Sequence, residues 1–240
     1  MKAFSITDIG KKRSINQDYV FCEDNPIGHL PNLYIVADGM GGHNAGDYAS
    51  RFCVEFFTQY IINSDQASPI ALIEEAITNT NEKLYAKSMQ DEEYEGMGTT
   101  FVVATIYDNT MYVANIGDSR LYVISKEMKQ ITEDHSLVQV MVRTGELDRD
   151  EAKLHPNKNI ITRALGTNEI AQPDFFEVEL GEGDIVLMCS DGLTNMLDDE
   201  TIERIIRENA DDPKTVTETL VMQANQNGGK DNIAVIIVKV

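Results

Sequence analysis

Aspartates mark the ends of several apolar segments in this chain. Asp38 and Asp191 each follow an apolar run and precede a glycine, and Asp231 lies just before another apolar run. One Asp-Gly pair alone is ordinary turn chemistry. Three acids at the ends of predicted strands instead indicate that carboxylates meet at the rim of a sheet.

Such a cluster implies a bound cation. Carboxylates that converge without a partner either take up protons or destabilise the fold. Carboxylate and carbonyl oxygens are hard ligands, which suit magnesium and manganese. The four histidines show no HExxH spacing and the three cysteines no CxxC spacing, which argues against zinc. We therefore predict a Mn2+ or Mg2+ site.

The sequence lacks the motifs of two well-known kinds of phosphate-handling site. A cysteine phosphatase needs an arginine six positions after its nucleophile, but the corresponding residues here are Gly28, Gln59 and Asn195. A P-loop needs GxxxxGK[ST], and neither Gly-Lys pair of this chain is followed by Ser or Thr. We expect neither a thiolate nucleophile nor a P-loop.

Composition restricts the partners and the compartment. The chain has 40 acids against 20 Lys and Arg, a formal charge of -20, and such a field repels polyanions, so no nucleic-acid partner is expected. Its apolar runs are short and its first residues lack a signal-peptide core, so we expect no membrane partner.

An odd number of cysteines fits a reducing cytoplasm. A length of 240 residues without a linker-like stretch predicts a single domain, 1–240.

The elements that must position the acids follow from apolar periodicity. Period-two or short apolar runs predict strands at 2–8, 33–38, 99–107, 110–116, 120–124, 175–180, 184–190 and 232–240. Asp108-Asn109 lies between two of these runs and predicts a hairpin turn, which favours antiparallel sheets.

Helical spacing is equally clear elsewhere. Apolar residues fit single helix faces at 73–84, 202–206 and 216–224, and Pro213 suits a helix start. Strands clustered in mid-chain and separated from long helices predict a layered α+β sandwich, with helices covering the outer face of each sheet.

Seven motifs then carry a resemblance that spans the chain from Thr7 to Val238. Together they are specific, although any one alone is weak. They are 12-KRSINQD-18, 37-ADGMGGH-43, 98-GTT-100, 117-GDSR-120, 134-DHS-136, 190-SDG-192 and 231-DN-232. The chain resembles a PPM-type (type 2C) metal-dependent protein serine/threonine phosphatase in its compact bacterial form.

The resemblance implies a fold and a mechanism. The fold is a four-layer αββα sandwich of two mostly antiparallel sheets flanked by helices. Two Mn2+ or Mg2+ ions are expected on Asp38, the carbonyl of Gly39, Asp191 and Asp231, with Asp38 bridging both. Asp18 is expected to hold a metal-bound water. A hydroxide bridging the metals would attack phosphoserine or phosphothreonine without a covalent enzyme intermediate.

Two more residues have both a functional and a structural interpretation. By resemblance Asp118, with Asp191, binds a weaker third metal, although an aspartate there could equally satisfy a turn. Arg13 presents a planar fork that matches phosphoryl oxygens. A lone surface arginine is usually only a solvated charge, and here the resemblance favours phosphate binding.

The polar segment 136–166, which we call the flap segment, resembles the mobile flap beside the active site of bacterial members. The alternative is a surface excursion without a role. The implied partners are phosphorylated proteins, including a serine/threonine kinase, and the chain is expected to be a monomer.

One position departs from part of the family. Some members have a histidine as proposed proton donor where this chain has Met40, which cannot donate a proton. Bacterial members commonly have Met here, so the acid must be another group or a metal-bound water, and His43 is a candidate. The alternative to an active phosphatase is an inactive binding module with the same fold. Because every matched aspartate is present, catalysis is the stronger hypothesis.

Overall fold

The computed structural model describes residues 1–42, 45–90 and 92–240, with the backbone alone at positions 149 and 153. The strands are β1 Lys2–Asp8, β2 Asp18–Glu23, β3 Leu33–Met40, β4 Gly98–Thr99, β5 Phe101–Tyr107, β6 Thr110–Ile116, β7 Arg120–Ile124, β8 Met128–Gln130, β9 Asp174–Glu179, β10 Ile185–Cys189 and β11 Ile233–Lys239. The helices are α1 Ala45–Asn63, α2 Pro69–Gln90, α3 Leu137–Thr144, α4 Arg149–Leu154, α5 Asp191–Thr194, α6 Asp199–Glu208 and α7 Pro213–Gln226.

The strands form two sheets. The first has the order β1-β11-β10-β7-β8, and the second has the order β2-β3-β5-β6-β9, with β4 pairing β3 beyond its contact with β5. The strand pairs of both sheets are antiparallel. The antiparallel arrangement predicted from the sequence is confirmed.

Among the described residues, buried apolar side chains form three clusters. One lies between the sheets and includes Val36, Val102 and Ile236. A second joins α1 and α2 to the second sheet, and a third joins α6 and α7 to the first sheet. Burial of apolar surface on both faces of each sheet therefore produces the predicted four-layer αββα sandwich.

Strand prediction was accurate where the apolar pattern was strong. β1, β6 and β7 have the predicted bounds. The hairpin between β5 and β6 turns at Asp108 (φ 47°) and Asn109 (φ 66°), which are residue types that tolerate positive φ. Strand β2 was not predicted, because its six residues are short and mixed in polarity.

The three predicted helical faces lie in α2, α6 and α7 and are buried. Asp198 caps α6 by accepting from the Thr201 amide, Asp212 caps α7 by accepting from the Lys214 amide, and Pro213 opens α7. Helix α1 was not predicted from the sequence. Its aromatic residues lie on both buried and half-buried faces, which blurs the helical period.

The flap segment contains α3 and α4, and its ends lie side by side. The Leu137 amide donates to the Ile160 carbonyl at 2.8 Å, and the Thr162 amide donates to the His135 carbonyl at 2.7 Å. Ser136 caps α3 by accepting from the Gln139 amide. The segment is thus a closed excursion from the sandwich. Within the described ranges, no helix has the length and apolar character needed to cross a membrane.

Candidate active site

The first part of the site lies on β2 and β3. Their antiparallel register places Asp18 directly opposite Asp38. Thr100 fixes the backbone of Asp38 from both sides: its amide donates to the Asp38 carbonyl and its hydroxyl accepts from the Asp38 amide, each at 2.9 Å. A Cβ on residue 39 would lie 1.9 Å from the Gly46 carbonyl oxygen, so Gly39 is required by close backbone packing.

The second part comes from the first sheet. Asp191 is the first residue of α5, directly after β10, and Asp231 precedes β11. The segments that carry these two acids are in direct backbone contact. A Cβ on residue 192 would lie 1.8 Å from the Asn232 carbonyl oxygen, so only glycine permits this approach. Strands β10 and β11 therefore deliver their acids to the same edge.

Polar side chains tie the two parts together. The Ser190 hydroxyl donates to Asp18 Oδ2 at 2.6 Å and accepts from the Ala234 amide at 2.9 Å. Asn232 Oδ1 accepts from the Gln17 amide at 2.9 Å, and its Nδ2 donates to the Ile9 and Ile15 carbonyls. The carboxylates of both sheets are thus held at one shared edge.

Asp118 reaches this edge from the turn between β6 and β7. Gly117 has φ 109°, and a Cβ there would lie 2.6 Å from Thr100. The turn is held on its far side by a bidentate ion pair between Arg120 and Asp134, with Nη2–Oδ2 at 2.7 Å. These contacts fix the turn that carries Asp118, and the Asp118 carboxylate lies close enough to Asp191 and Asp38 for their charges to interact.

The electrostatics indicate how closely the acids approach. Burial raises the pKa of Asp18 to about 7, and the charges of Asp191 and Asp231 add to the effect. Burial and Asp231 raise the pKa of Asp191 to about 6, while burial and Asp191 raise that of Asp118 to about 8. Burial and the Asp18 charge also raise the pKa of Asp38 well above its usual value. Each carboxylate therefore opposes the charge of its neighbours.

A cation already lies among these acids. Arg13 Nη2 donates to Asp231 Oδ2 at 2.7 Å, and the Arg13 side chain is 51% exposed. The hydrogen bond with Asp231 and the charges of Asp231, Asp38 and Asp191 raise the pKa of Arg13, despite partial burial. The predicted phosphate ligand thus lies at the rim of the acidic cluster.

The donor set fits a divalent metal. It consists of carboxylate oxygens, and Asp18 Oδ1 is buried without a hydrogen-bond partner in the described structure. Within the described ranges, no three His, Cys, Asp or Glu side chains are placed so that they could hold a metal ion together. Asp231 accepts from Arg13 and Asp191 accepts from Asn195, so each of these two carboxylates already has a hydrogen-bond partner.

Sequence reasoning missed several supporting residues. Ser190, Thr100 and Asn232 belong to the quoted motifs, and their position beside a predicted ligand was the available signal. Asn195 and Lys158 carried no such signal, since their contact joins distant parts of the chain. His43 lies outside the described residues. The Met40 methyl group packs close to Gly98, since a Cβ on Gly98 would lie 2.8 Å from Met40 Cε.

Paired antiparallel sheets with buried aspartates at their shared edge suit a metal-dependent hydrolase. The family model for protein phosphatase 2C matches residues 13–233. The chain belongs to the protein phosphatase 2C family.

Individual relatives agree. Protein phosphatase PhpP of Streptococcus pneumoniae serotype 2 (strain D39) is 43% identical over 99% of this chain and 97% of its own length. The solved structure of the S. agalactiae serine/threonine phosphatase matches with a TM-score of 0.92 and 37% identity, covering 100% of this chain and 99% of that one. The catalytic domain of PstP, described as a complex with two manganese ions, matches with a TM-score of 0.85 and 30% identity over 98% and 96% of the two chains.

The protein is accordingly a metal-dependent serine/threonine protein phosphatase that acts on phosphoproteins. These similarities support the active enzyme over the inactive binding module.

Proposed function

We propose that Asp38, the Gly39 carbonyl, Asp191 and Asp231 would hold two Mn2+ or Mg2+ ions, with Asp38 as the ligand shared between them. Two manganese ions are named for PstP, which supports this number. Asp118 and Asp191 bind a third, weaker ion. When bound, the metals lower the pKa of a water molecule and supply a nucleophile near neutral pH.

The observation that carries the proposal is the convergence of acids from both sheets. Asp18 and Asp38 pair across β2 and β3, Asp191 directly follows β10, and Asp231 precedes β11. Burial and the charges of neighbouring acids raise the pKa values of Asp18, Asp38 and Asp191. Acids spread over a solvated surface would not have their pKa values raised in this way by burial and by neighbouring charges. A multivalent cation relieves both the repulsion and the cost of burial.

The chain's own side chains have separate tasks. Asp18 would hold a metal-bound water by accepting its hydrogen bond, and Ser190 fixes the Asp18 carboxylate for this purpose. Arg13 would donate to the phosphoryl oxygens of the substrate instead of to Asp231, because its fork fits two oxygens at once.

Substrate and context follow from the same assignment. We propose that the substrates are proteins carrying phosphoserine or phosphothreonine, including a serine/threonine kinase. The enzyme would act as a cytoplasmic monomer in which residues 1–240 form one domain, and the flap segment would border the active site.

Chelation tests the metal assignment. After EDTA treatment, activity on a phosphothreonine peptide should disappear and return with Mn2+ or Mg2+ but not Ca2+, whose longer bonds and higher coordination spoil a dinuclear site. Full activity in the presence of chelator would overturn the proposal.

Ligand variants test the residue assignment. Asp38→Ala, Asp191→Ala and Asp231→Ala should each nearly abolish turnover and weaken Mn2+ binding in calorimetry. Folding should survive, because each change relieves repulsion in the metal-free protein. Asp108→Asn, in the exposed β5–β6 turn, is the control for loss of one negative charge. Wild-type Mn2+ binding in any of the three variants would show that this ligand is wrongly assigned.

A further inference from the structure

The flap segment is connected to Asp191 by a chain of two hydrogen bonds. Lys158 Nζ, in the flap segment, donates to Asn195 Oδ1 at 2.8 Å. Asn195 Nδ2 donates in turn to Asp191 Oδ2 at 2.8 Å. One amide side chain therefore contacts the flap with its oxygen and Asp191 with its nitrogen.

We propose that Lys158 and Asn195 form a latch that holds the flap segment to the metal-free Asp191, and that metal binding at Asp191 and latch closure oppose each other. Asn195 is the positioning residue of this latch, since it acts through the Asp191 carboxylate. The inference rests on the assignment of Asp191 as a metal ligand made above.

The charges determine the sign of the effect. Lys158 brings a positive charge towards an acid that lies among like charges. Although burial and Asp231 raise the pKa of Asp191, the Arg120 charge, the Asn195 hydrogen bond and the Lys158 charge act against this shift. A divalent cation bound to Asp191 would itself stabilise the negative charge of the carboxylate, and it would repel the ammonium group of Lys158. Metal binding should therefore loosen the Lys158 contact.

Linkage makes the effect reciprocal. If latch closure weakens metal binding by some factor, metal binding must weaken latch closure by the same factor. Released Lys158 is then a free cation on the flap segment, available to an anionic substrate. The latch thus connects metal occupancy to the position of the flap segment.

The two latch residues differ in their expected effect on metal affinity. Lys158→Met removes the competing charge but keeps the Asn195–Asp191 hydrogen bond, so Mn2+ should bind about 3-fold more tightly at low ionic strength, and less so in high salt. Asn195→Ala removes the group that orients Asp191, so Mn2+ should bind about 10-fold more weakly.

Direct Mn2+ binding, followed by electron paramagnetic resonance at low and high salt, measures these affinities without any turnover. Arg143→Met is the matched control, because Arg143 is an exposed cation of the same segment, on α3. We expect it to leave Mn2+ affinity within error of the wild type.

Hydrogen exchange over residues 155–162 supplies the flap readout. In the wild type, saturating Mn2+ should speed exchange there by about the same 3-fold factor. Lys158→Met and Asn195→Ala should both exchange faster without Mn2+ and respond little to its addition. If either residue had a purely structural role, its replacement would not change how hydrogen exchange in residues 155–162 responds to Mn2+.

The outcomes separate this inference from the proposed function. If Asp191→Ala binds Mn2+ like the wild type, the ligand assignment fails and the latch fails with it. If Asp191→Ala loses Mn2+ binding while Lys158→Met matches Arg143→Met in affinity and exchange, the latch alone is refuted. Slower exchange in wild-type protein on Mn2+ addition would also refute it.

Discussion

Ser190 joins the two sheets at the active site by donating a 2.6 Å hydrogen bond to Asp18 Oδ2. Ser190 follows β10 in one sheet, whereas Asp18 begins β2 in the other. Both residues are buried, and Asp18 Oδ1 is without a partner in the described structure. The hydroxyl therefore satisfies one oxygen of a carboxylate that has left water, and it fixes the direction of the other.

Removing this hydroxyl should lower both stability and turnover. In Ser190→Ala the buried carboxylate loses its donor and the Ala234 amide loses an acceptor, so the free energy of unfolding should fall by about 1–3 kcal/mol. Turnover should fall about 10-fold, because Asp18 is no longer oriented. Urea unfolding and phosphopeptide kinetics measure the two effects. Ser88→Ala is the control, because it removes a buried hydroxyl that donates to a backbone carbonyl instead of to Asp18, and it should leave kcat unchanged. An equal loss of kcat in Ser88→Ala would refute the role of Ser190.

Replacing Arg13 should weaken phosphate binding. Loss of a charge-assisted hydrogen bond costs about 1.5–3 kcal/mol, which is roughly 10- to 150-fold in kcat/KM for a phosphopeptide. Arg13→Ala should also raise the inhibition constant of inorganic phosphate at saturating Mn2+. Lys12→Ala is the control for removing a neighbouring exposed cation. Unchanged kinetics and phosphate inhibition would leave Arg13 as a partner of Asp231 alone.

The metal-free protein should become less stable as pH rises. An acid whose folded-state pKa is raised binds more protons folded than unfolded, so the free energy of unfolding decreases with pH. Burial places the pKa values of Asp191, Asp18 and Asp118 at about 6, 7 and 8, against an ordinary value of 3.8. After chelation the Tm should therefore fall between about pH 5 and about pH 8.

Two comparisons test this origin of the pH dependence. Asp118→Asn should flatten the fall in Tm, whereas Asp108→Asn in the exposed turn should not. Saturating Mn2+ should stabilise the protein more at pH 8 than at pH 5, since the ligands must lose protons to bind it. A Tm of the chelated protein that rises over this range would contradict the raised pKa values.

Leaving-group chemistry tests the proton donor. A phenolate departs with little help, whereas a serine alkoxide is strongly basic and benefits from protonation. If His43 donates the proton, His43→Ala should slow a phosphoserine peptide by about 10²-fold and an aryl phosphate far less. Equal losses on the two substrates would give His43 a supporting role only.

Met40→His provides the complementary experiment. The Met40 side chain ends near Gly98, so a new imidazole would lie at the end of β3, one residue after Gly39. If it reaches the leaving oxygen, peptide turnover should rise or kcat should acquire an additional pKa. An unaltered pH profile would indicate that residue 40 does not take part in proton transfer.

Much of the fold could be predicted because burial leaves a periodic signal in the sequence. The hairpin at Asp108-Asn109 and the buried faces of α2, α6 and α7 all arise from short-range patterns. Helix α1 escaped prediction because its half-buried aromatic residues surround a narrower buried stripe. Strand β2 escaped because its six residues do not alternate between buried and exposed: one buried residue is followed by five half-buried ones.

The sequence by itself determined which chemistry the protein carries, because ligand type is a property of the residue and its motif. Asp38, Asp191 and Asp231 could be named as candidate metal ligands without coordinates. The tertiary structure decided which groups meet. Ser190 reaches Asp18 across 172 positions, and Lys158 reaches Asn195 across 37, through contacts between different elements. Such contacts depend on strand register and sheet packing, which act over the whole chain and leave no local pattern.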